Sequence, residues 1–194
     1  MFLEFFGILS GVLSSLSYIP YIRDILLRKT YPEKATWLIW IILGSIAFTS
    51  QLAKGATNSL WVPGLETLGQ IIVFILALRV GKGPIFKRKD YIALSIAGLG
   101  LVLWYLTHEA AVALYIVIGI DFTGTFLTIQ KAYTKPETET FSTWILAMFG
   151  GLFSALSVGK FDFILLSYPI FIFAMNGIIA LAMILGRKSK TLKR

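Results

Sequence analysis

Residues 163–186 read FILLSYPIFIFAMNGIIALAMILG, a run of 24 residues without a charged side chain. A helix that crosses the hydrocarbon core of a bilayer needs about 20 mostly apolar residues, so this stretch predicts a membrane-spanning helix. The whole chain has the same character, because 57% of its 194 residues are hydrophobic and only 14% are charged. These apolar residues come in long runs and not in amphipathic stripes. We therefore predict an integral membrane protein.

Six further apolar stretches precede this one, and the connections between them are short. The seven predicted transmembrane helices cover residues 5–27, 35–53, 60–80, 91–107, 111–131, 142–158 and 161–186. The chain begins Met-Phe-Leu-Glu, without the positive segment of a signal peptide, so we expect the first helix to be retained. No connection is long enough for a separate soluble domain.

Basic residues predict the orientation of the chain. Sixteen Lys and Arg residues follow helices 1, 3, 5 and 7, whereas only Lys54 and Lys160 fall on the other side. Because cytoplasmic loops carry the excess of basic residues, the N-terminus is predicted outside and the C-terminus in the cytoplasm, in a prokaryotic plasma membrane. The net charge of +8 therefore marks topology. It does not indicate nucleic-acid binding, since no groove-reading motif accompanies it.

A weak internal repeat appears at an offset of 107 residues. Thr36-Trp37 then falls on Thr143-Trp144, and Gly44 falls on Gly151. The matches predict two parallel three-helix repeats, residues 1–89 and 110–194, joined by a linking helix within residues 90–109. The alternative is that a few matches between apolar segments arise by chance. The fold class predicted is an all-α membrane protein with seven transmembrane helices.

Local motifs accompany this topology. They read Ser17-Tyr18-Ile19-Pro20-Tyr21-Ile22, then basic Arg28-Lys29, then Thr36-Trp37-Leu38-Ile39-Trp40. In this pattern the chain resembles the PQ-loop superfamily, which includes the SWEET and SemiSWEET sugar transporters and the KDEL receptors. Tyr21 stands where that pattern has glutamine, and Leu127-Thr128 stand where a second proline would fall. The nicotinamide-riboside transporter family is similar in topology too.

Asp121 is the first candidate site residue, because a carboxyl near the middle of a transmembrane helix is costly and is usually functional. It lies ten residues into the predicted helix 5, which is about 15 Å at 1.5 Å per residue. We interpret it as a substrate ligand or a proton-coupling group, and the alternative is a hydrogen bond to a neighbouring helix. The repeat places Ser14 at the matching position of helix 1, within a stripe of small residues that is either a substrate path or a close packing face.

Four further residues complete the predicted site or its surroundings. The resemblance implies that Asn176, and more loosely Gln70, hydrogen-bond a substrate. Glu66 lies one turn before Gln70 and is a candidate for the outer vestibule or for proton coupling. Trp40 could stack on a sugar or nucleoside ring, although tryptophans near a helix end more often anchor a protein at the interface. For Asn176 and Glu66 the alternatives are an interhelical hydrogen bond and a carboxylate that reaches the interface.

The residue inventory excludes several functions. The chain has no cysteine and only one histidine, His108, so we expect no thiolate or multi-histidine metal site, no cofactor and no enzyme. We predict a transporter of a small polar, uncharged solute that works by alternating access between the two repeats. The alternative is a membrane receptor or assembly factor of the PQ-loop type. The small-residue stripe of helix 1 also makes a homo-oligomer a candidate assembly.

Overall fold

The structure, a computed structural model, describes residues 2–53, 61–80, 86–107, 110–159, 161 and 163–191. Within those ranges the chain is entirely helical, with seven α-helices, one short 3-10 turn at Pro136–Thr138 and no strand. The helices α1 to α7 span Phe2–Leu26, Lys34–Ala53, Trp61–Val80, Arg88–Thr107, Ala110–Thr134, Phe141–Ser157 and Phe163–Thr191. The number and the approximate positions of the predicted helices are therefore confirmed.

Two helices extend beyond their predicted C-terminal ends. Helix α5 continues past Lys131 to Thr134 and stops just before Lys135-Pro136, because proline restricts the preceding residue to extended backbone. Helix α7 continues past Gly186 to Thr191, through basic residues that favour helix and are stabilised near a helix C-terminus. The apolar runs define only the hydrophobic part of each helix, so Lys131 is a helical residue and not a loop residue.

Two helices of the described chain are long and apolar enough to cross a bilayer. They are α1, over Phe2–Leu26, and the Leu166–Thr191 part of α7. Helix α1 buries few of its own side chains, and large apolar residues such as Phe5, Ile8 and Ile19 are exposed. An apolar helix with so little protein around it indicates association with a membrane.

The chain divides into two compact units. Unit 1 combines Met1–Tyr31 with Thr128–Arg194, and unit 2 is Pro32–Leu127. In unit 1, α1 packs on α6 and α6 packs on α7, whereas in unit 2, α2 packs on α3 and α4. The boundaries of these units differ from the predicted repeat boundaries at residues 89 and 110. A compact unit is defined by the helices that touch, whereas a repeat is defined by matches within the sequence. The predicted repeat stays a prediction.

The two units nevertheless use the same helix contact at corresponding positions. In unit 1 the Thr143 hydroxyl donates to the Ser17 carbonyl oxygen at 3.0 Å. In unit 2 the Thr36 hydroxyl donates to the Gly124 carbonyl oxygen at 2.7 Å. Both donors and both acceptors are separated by 107 residues in the sequence. One buried hydroxyl thus fixes α6 on α1 and, in the other unit, α2 on α5.

A pair of glycines brings further helices into close contact. A Cβ atom on Gly151 would lie 2.5 Å from the backbone nitrogen of Phe173 on α7. A Cβ atom on Gly44 would collide with the Thr67 hydroxyl and lie 2.9 Å from the Gln70 amide oxygen on α3. Small residues permit this close approach, which membrane helices use because apolar surface alone does not drive their association in lipid. The α6–α7 and α2–α3 contacts are therefore equivalent.

A tight turn leads out of α1. Arg28 adopts a φ of 57°, in the left-handed region that usually selects glycine or asparagine after a helix. The backbone N–H groups of Lys29 and Thr30 both donate to the Asp24 carbonyl oxygen, at 2.8 and 3.1 Å. This turn satisfies the free carbonyl at the end of α1 and directs the chain to Tyr31.

Candidate functional site

Asp121 lies near the middle of α5, where its carboxylate is buried in unit 2. Its Oδ1 atom accepts a hydrogen bond from the Trp40 indole Nε1 at 2.6 Å. The same oxygen accepts a second bond from the Thr125 hydroxyl, one turn along α5, at 3.2 Å. Hydrogen bonds to a charged group are stronger than those between neutral groups. The structure thus brings together two of the residues predicted for the site, Asp121 and Trp40.

Trp40 is held between two partners within unit 2. Its indole N–H points to Asp121, and its ring meets the ring of Trp37 edge-on with centroids 4.9 Å apart. Both tryptophans lie on α2, three residues apart, so they share one face of the helix. This geometry gives Trp40 a direct role in orienting the carboxylate. Its predicted stacking on a ring of the solute stays a prediction.

Helix α3 adds a second polar group to unit 2. Glu66 is half-buried, and its carboxyl is close enough to Asp121 for the two acids to interact electrostatically. One turn further, the Thr67 hydroxyl and the Gln70 amide oxygen are buried beside Gly44. Neither oxygen finds a hydrogen-bond partner among the residues that the structure describes. An unsatisfied buried polar atom costs about 1–3 kcal/mol, so these two atoms indicate a polar site.

The two predicted site residues of unit 1 have different surroundings. Ser14 lies where α1 crosses α6, and a Cβ atom on Gly150 would be 2.6 Å from its hydroxyl oxygen. The neighbouring Ser10 hydroxyl donates to the Gly150 carbonyl oxygen at 2.8 Å. This part of the small-residue stripe thus lies at a helix contact. Asn176 is partly buried on α7, and its Nδ2 donates to the Ile172 carbonyl oxygen of its own helix at 2.8 Å. Their contact with a solute stays a prediction.

A buried ion pair in unit 1 was not predicted from the sequence. The carboxylate of Glu139, which follows the Pro136–Thr138 turn, has no solvent-exposed surface. It accepts hydrogen bonds from Lys131 Nζ at 2.6 Å, from the Tyr21 hydroxyl at 3.1 Å and from Trp144 Nε1 at 3.2 Å. Three donors from α5, α1 and α6 therefore meet on one carboxylate.

The Lys131 ammonium is satisfied as fully as its partner. Besides Glu139, it donates to the backbone carbonyl oxygens of Tyr31 and Thr138. The Tyr31 N–H in turn donates to the Thr138 carbonyl oxygen at 3.0 Å. An ammonium group has three donors, and all three have acceptors here. Lys131 therefore joins the segment after α1 to the segment before α6.

Two threonine hydroxyl groups extend the hydrogen-bond network beyond this ion pair. The Thr140 hydroxyl donates to Asp24 Oδ2 at 3.0 Å and lies 2.6 Å from the Thr30 hydroxyl. The ends of α1, α5 and α6 are thus held by a continuous polar network. A fully satisfied network of this kind makes local structure rigid.

Two neighbouring carboxyls have opposite electrostatic environments. Burial raises the pKa of Glu139 above its ordinary value, although Lys131 and the hydrogen bonds from Tyr21 and Trp144 act in the other direction. In contrast, the hydrogen bond from Lys190 lowers the pKa of Glu137, which lies in the exposed part of the same turn. Position within the turn therefore decides which acid is structural.

The local sequence does not reveal the ion pair. Tyr21, directly after Pro20 in α1, donates its hydroxyl to Glu139. The partner, Glu139, is 118 residues away in the sequence, so no local spacing reveals it. The charge bias places Lys131 with the cytoplasmic basic residues because the apolar run ends there. His108, Lys54 and Lys160 lie outside the described residues.

Comparison of the chain with protein-family models, with curated proteins and with solved structures finds no match. The resemblance to the PQ-loop superfamily therefore stays a prediction that rests on the quoted motifs.

Proposed function

We propose that this protein is a membrane carrier for a small polar solute, with all seven helices crossing the bilayer. The apolar composition, the two long apolar helices and the bias of basic residues support the membrane topology. The N-terminus lies outside and the C-terminus in the cytoplasm. Transport proceeds by alternating access, in which the site opens to one side of the membrane at a time.

The observation that carries this proposal is the Asp121–Trp40 pair. A carboxylate in the middle of a membrane helix is expensive, and proteins retain such groups mainly where substrates or ions pass. Asp121 is oriented by neutral donors from Trp40 and Thr125. These two hydrogen bonds fix the position of the carboxylate within unit 2.

The chemistry of the site favours a solute that donates hydrogen bonds. Asp121, Glu66 and the amide oxygen of Gln70 all present acceptors within unit 2. Sugars and nucleosides carry several hydroxyl donors and match that requirement. Asn176 on α7 and Ser14 on α1, both in unit 1, stay sequence-based candidates for contact with a solute.

The receptor alternative receives no support from the buried cation of unit 1. A receptor for a peptide carboxylate needs a basic side chain with donors to spare. Lys131 is buried, but Glu139 and the carbonyl oxygens of Tyr31 and Thr138 accept from it. Its charge is therefore structural.

Uptake by proteoliposomes tests the carrier proposal. We would measure entry of radiolabelled sugars and nucleosides with and without an inward proton gradient, for the wild type and for Asp121→Asn. Glu137→Gln, which removes an exposed acid of unit 1, is the matched control. We expect uptake that Asp121→Asn reduces at least tenfold and Glu137→Gln leaves unchanged. If no solute enters, or if Asp121→Asn transports normally, the proposed site is wrong.

A further inference from the structure

The end of unit 1 at which α1, α5 and α7 finish is strongly basic. Three segments of this end carry eight Lys and Arg residues against three acids, and they are 23–31, 131–140 and 187–191. Two of the acids are already paired, Glu139 with Lys131 and Glu137 with Lys190. The charge that remains at this end is therefore positive.

Contacts within unit 1 hold the three segments side by side. The Tyr31 N–H donates to the Thr138 carbonyl oxygen at 3.0 Å, which joins the exit of α1 to the turn after α5. Helix α7 lies against the end of α5, since a Cβ atom on Gly186 would collide with the Tyr133 carbonyl oxygen. The basic residues of all three segments therefore lie at one end of a single unit.

The exposed cations of this end form a surface that we call the basic rim. Its six side chains are exposed, and they are Arg23, Arg28, Lys29, Lys135, Arg187 and Lys188. None of the six forms an ion pair with an acid in the part of the chain that the structure describes. The guanidinium carbon of Arg187 lies 6.0 Å from the centroid of the Phe141 ring, a contact that uses none of its N–H donors. The rim thus presents donors and positive charge to an anion.

The basic rim begins where exposed apolar side chains end. On α1 the exposed Leu27 directly precedes Arg28, and on α7 the exposed Leu185 comes two residues before Arg187. Both helices are long and apolar enough to cross a bilayer. Tyr133, which is 48% exposed at the same end, is of a residue type enriched at the membrane interface. In a bilayer the rim would therefore lie at the level of the lipid headgroups.

The backbone of Arg28 is a further sign that its side chain is used. Its φ of 57° lies in the left-handed region, which glycine adopts at lower cost because it has no Cβ atom. The chain nevertheless has an arginine there, with its side chain exposed. A residue in a sparsely populated conformation is a reason to seek a function for that residue.

We propose that the basic rim binds the headgroups of anionic phospholipids. Guanidinium and ammonium groups are the usual ligands of phosphate in proteins, and arginine can donate two parallel hydrogen bonds to it. A lipid suits this surface better than a free anion, because its acyl chains can cover the exposed apolar side chains that adjoin the rim on α1 and α7. The proposal rests on the membrane placement given under the proposed function and is independent of transport.

Binding is tested on the purified full-length protein in detergent. We would measure the thermal unfolding midpoint during titration with phosphatidylglycerol, with phosphatidylcholine of the same acyl chains, and with glycerol phosphate. We expect a saturable rise with phosphatidylglycerol, which added salt reduces, and no comparable rise with the other two. Equal responses to both lipids would overturn the proposal, and so would a response to glycerol phosphate as large as that to phosphatidylglycerol.

Variants separate loss of the rim from loss of the fold. Arg28→Gly removes a guanidinium and relieves the backbone, so without lipid its midpoint should equal or exceed that of the wild type. Its affinity for phosphatidylglycerol should fall about fivefold, as should that of Lys188→Gln, which corresponds to about 1 kcal/mol for one basic residue near an anionic surface.

Lys87→Gln in unit 2 is the control, because it removes the same charge from a lysine that Glu33 already pairs. It should bind phosphatidylglycerol as the wild type does. Wild-type affinity in both rim variants, or an equal loss in Lys87→Gln, would refute the basic rim as the binding surface.

The lipid proposal and the carrier proposal can fail separately. A protein that binds phosphatidylglycerol in detergent but carries no solute in proteoliposomes would retain the basic rim and lose the carrier function. Solute uptake by a protein that does not distinguish phosphatidylglycerol from phosphatidylcholine would do the reverse.

Discussion

The two units share a packing scheme but carry their buried charge at different places. In unit 1 the acid is Glu139, beyond the end of α5, and a lysine neutralises it. In unit 2 the acid is Asp121, mid-helix, and an indole and a hydroxyl donate hydrogen bonds to it. The position in unit 1 that corresponds to Asp121 by the 107-residue offset is Ser14. Similar helix contacts therefore surround two different polar environments.

This difference separates a structural charge in unit 1 from the charge in unit 2 for which we propose a function. A buried ion pair with every donor satisfied fixes the ends of helices and leaves no capacity for a ligand. A carboxylate in the middle of a membrane helix is a group that proteins retain mainly where a substrate or an ion passes. Changes in unit 1 should therefore alter stability first, whereas changes in unit 2 should alter binding first.

The largest effect is expected for Lys131→Met. Removing one partner of a buried ion pair leaves the other charge uncompensated, which typically costs about 3–5 kcal/mol of unfolding free energy. Without Lys131 the pKa of Glu139 should rise further above its ordinary value of 4.5, since burial is already the largest influence on it. Chemical denaturation of the purified protein measures the loss.

The pH dependence of that variant has a defined sign. A carboxyl whose folded pKa exceeds its unfolded pKa contributes stability below the unfolded value, and this contribution disappears as pH rises through the folded value. Lys131→Met should therefore lose more stability at neutral pH than at mildly acidic pH. Lys190→Met removes an exposed lysine and is the control. Equal losses for both variants would mean that the buried pair stabilises nothing.

Trp40→Phe should have the next largest effect. The change keeps an aromatic ring but removes the N–H that donates to Asp121, which costs about 1.5–3 kcal/mol for a hydrogen bond to a charged group. The matched variant is Trp144→Phe, which removes the indole donor to Glu139 in unit 1. Because Glu139 retains Lys131 and Tyr21, we expect the smaller loss there. Denaturation of the two variants side by side measures the two losses of unfolding free energy. A larger loss for Trp144→Phe would contradict the comparison of the two units.

The sequence predicted the helices well because each one is an apolar run of bilayer length. It could not predict which helices touch, since helices that are apolar on all sides lack the amphipathic stripe that identifies a packed face. The contacts depend on single small or hydroxyl residues, such as Gly151 and Thr143, whose partners are distant in the chain. For the same reason Asp121 and Trp40 were each predicted, but their hydrogen bond was not.

A smaller effect is expected at the shared glycine contact. In Gly151→Ala the added methyl would lie 2.5 Å from the backbone nitrogen of Phe173, which cannot move as a side chain can. Overpacking of this kind costs about 1–3 kcal/mol. Gly119→Ala is the control, because nothing lies within 4 Å of its added methyl, and alanine should stabilise that helical position by about 0.5–1 kcal/mol. The thermal unfolding midpoints of the two variants should therefore shift in opposite directions. A Gly151→Ala variant as stable as the wild type would mean that α6 and α7 pack less closely than the structure shows.

The smallest effect belongs to the exposed ion pair of the Pro136–Thr138 turn. Lys190 Nζ donates to Glu137 Oε2 at 2.7 Å, but the two side chains are 50% and 60% exposed. Since solvent screens such pairs, Glu137→Gln should cost less than about 1 kcal/mol of unfolding free energy, and added salt should reduce even that.

The hydrogen bond from Lys190 lowers the pKa of Glu137 below 4.5. The stability that this bond contributes is therefore present above that pH and disappears as pH falls through the lowered pKa. Denaturation of the wild type and Glu137→Gln across the acidic range should show two curves that converge at low pH. A constant gap would show that Lys190 does not act on the Glu137 charge. A gap as large as that of Lys131→Met would remove the distinction between buried and exposed charge on which the comparison of the two units depends.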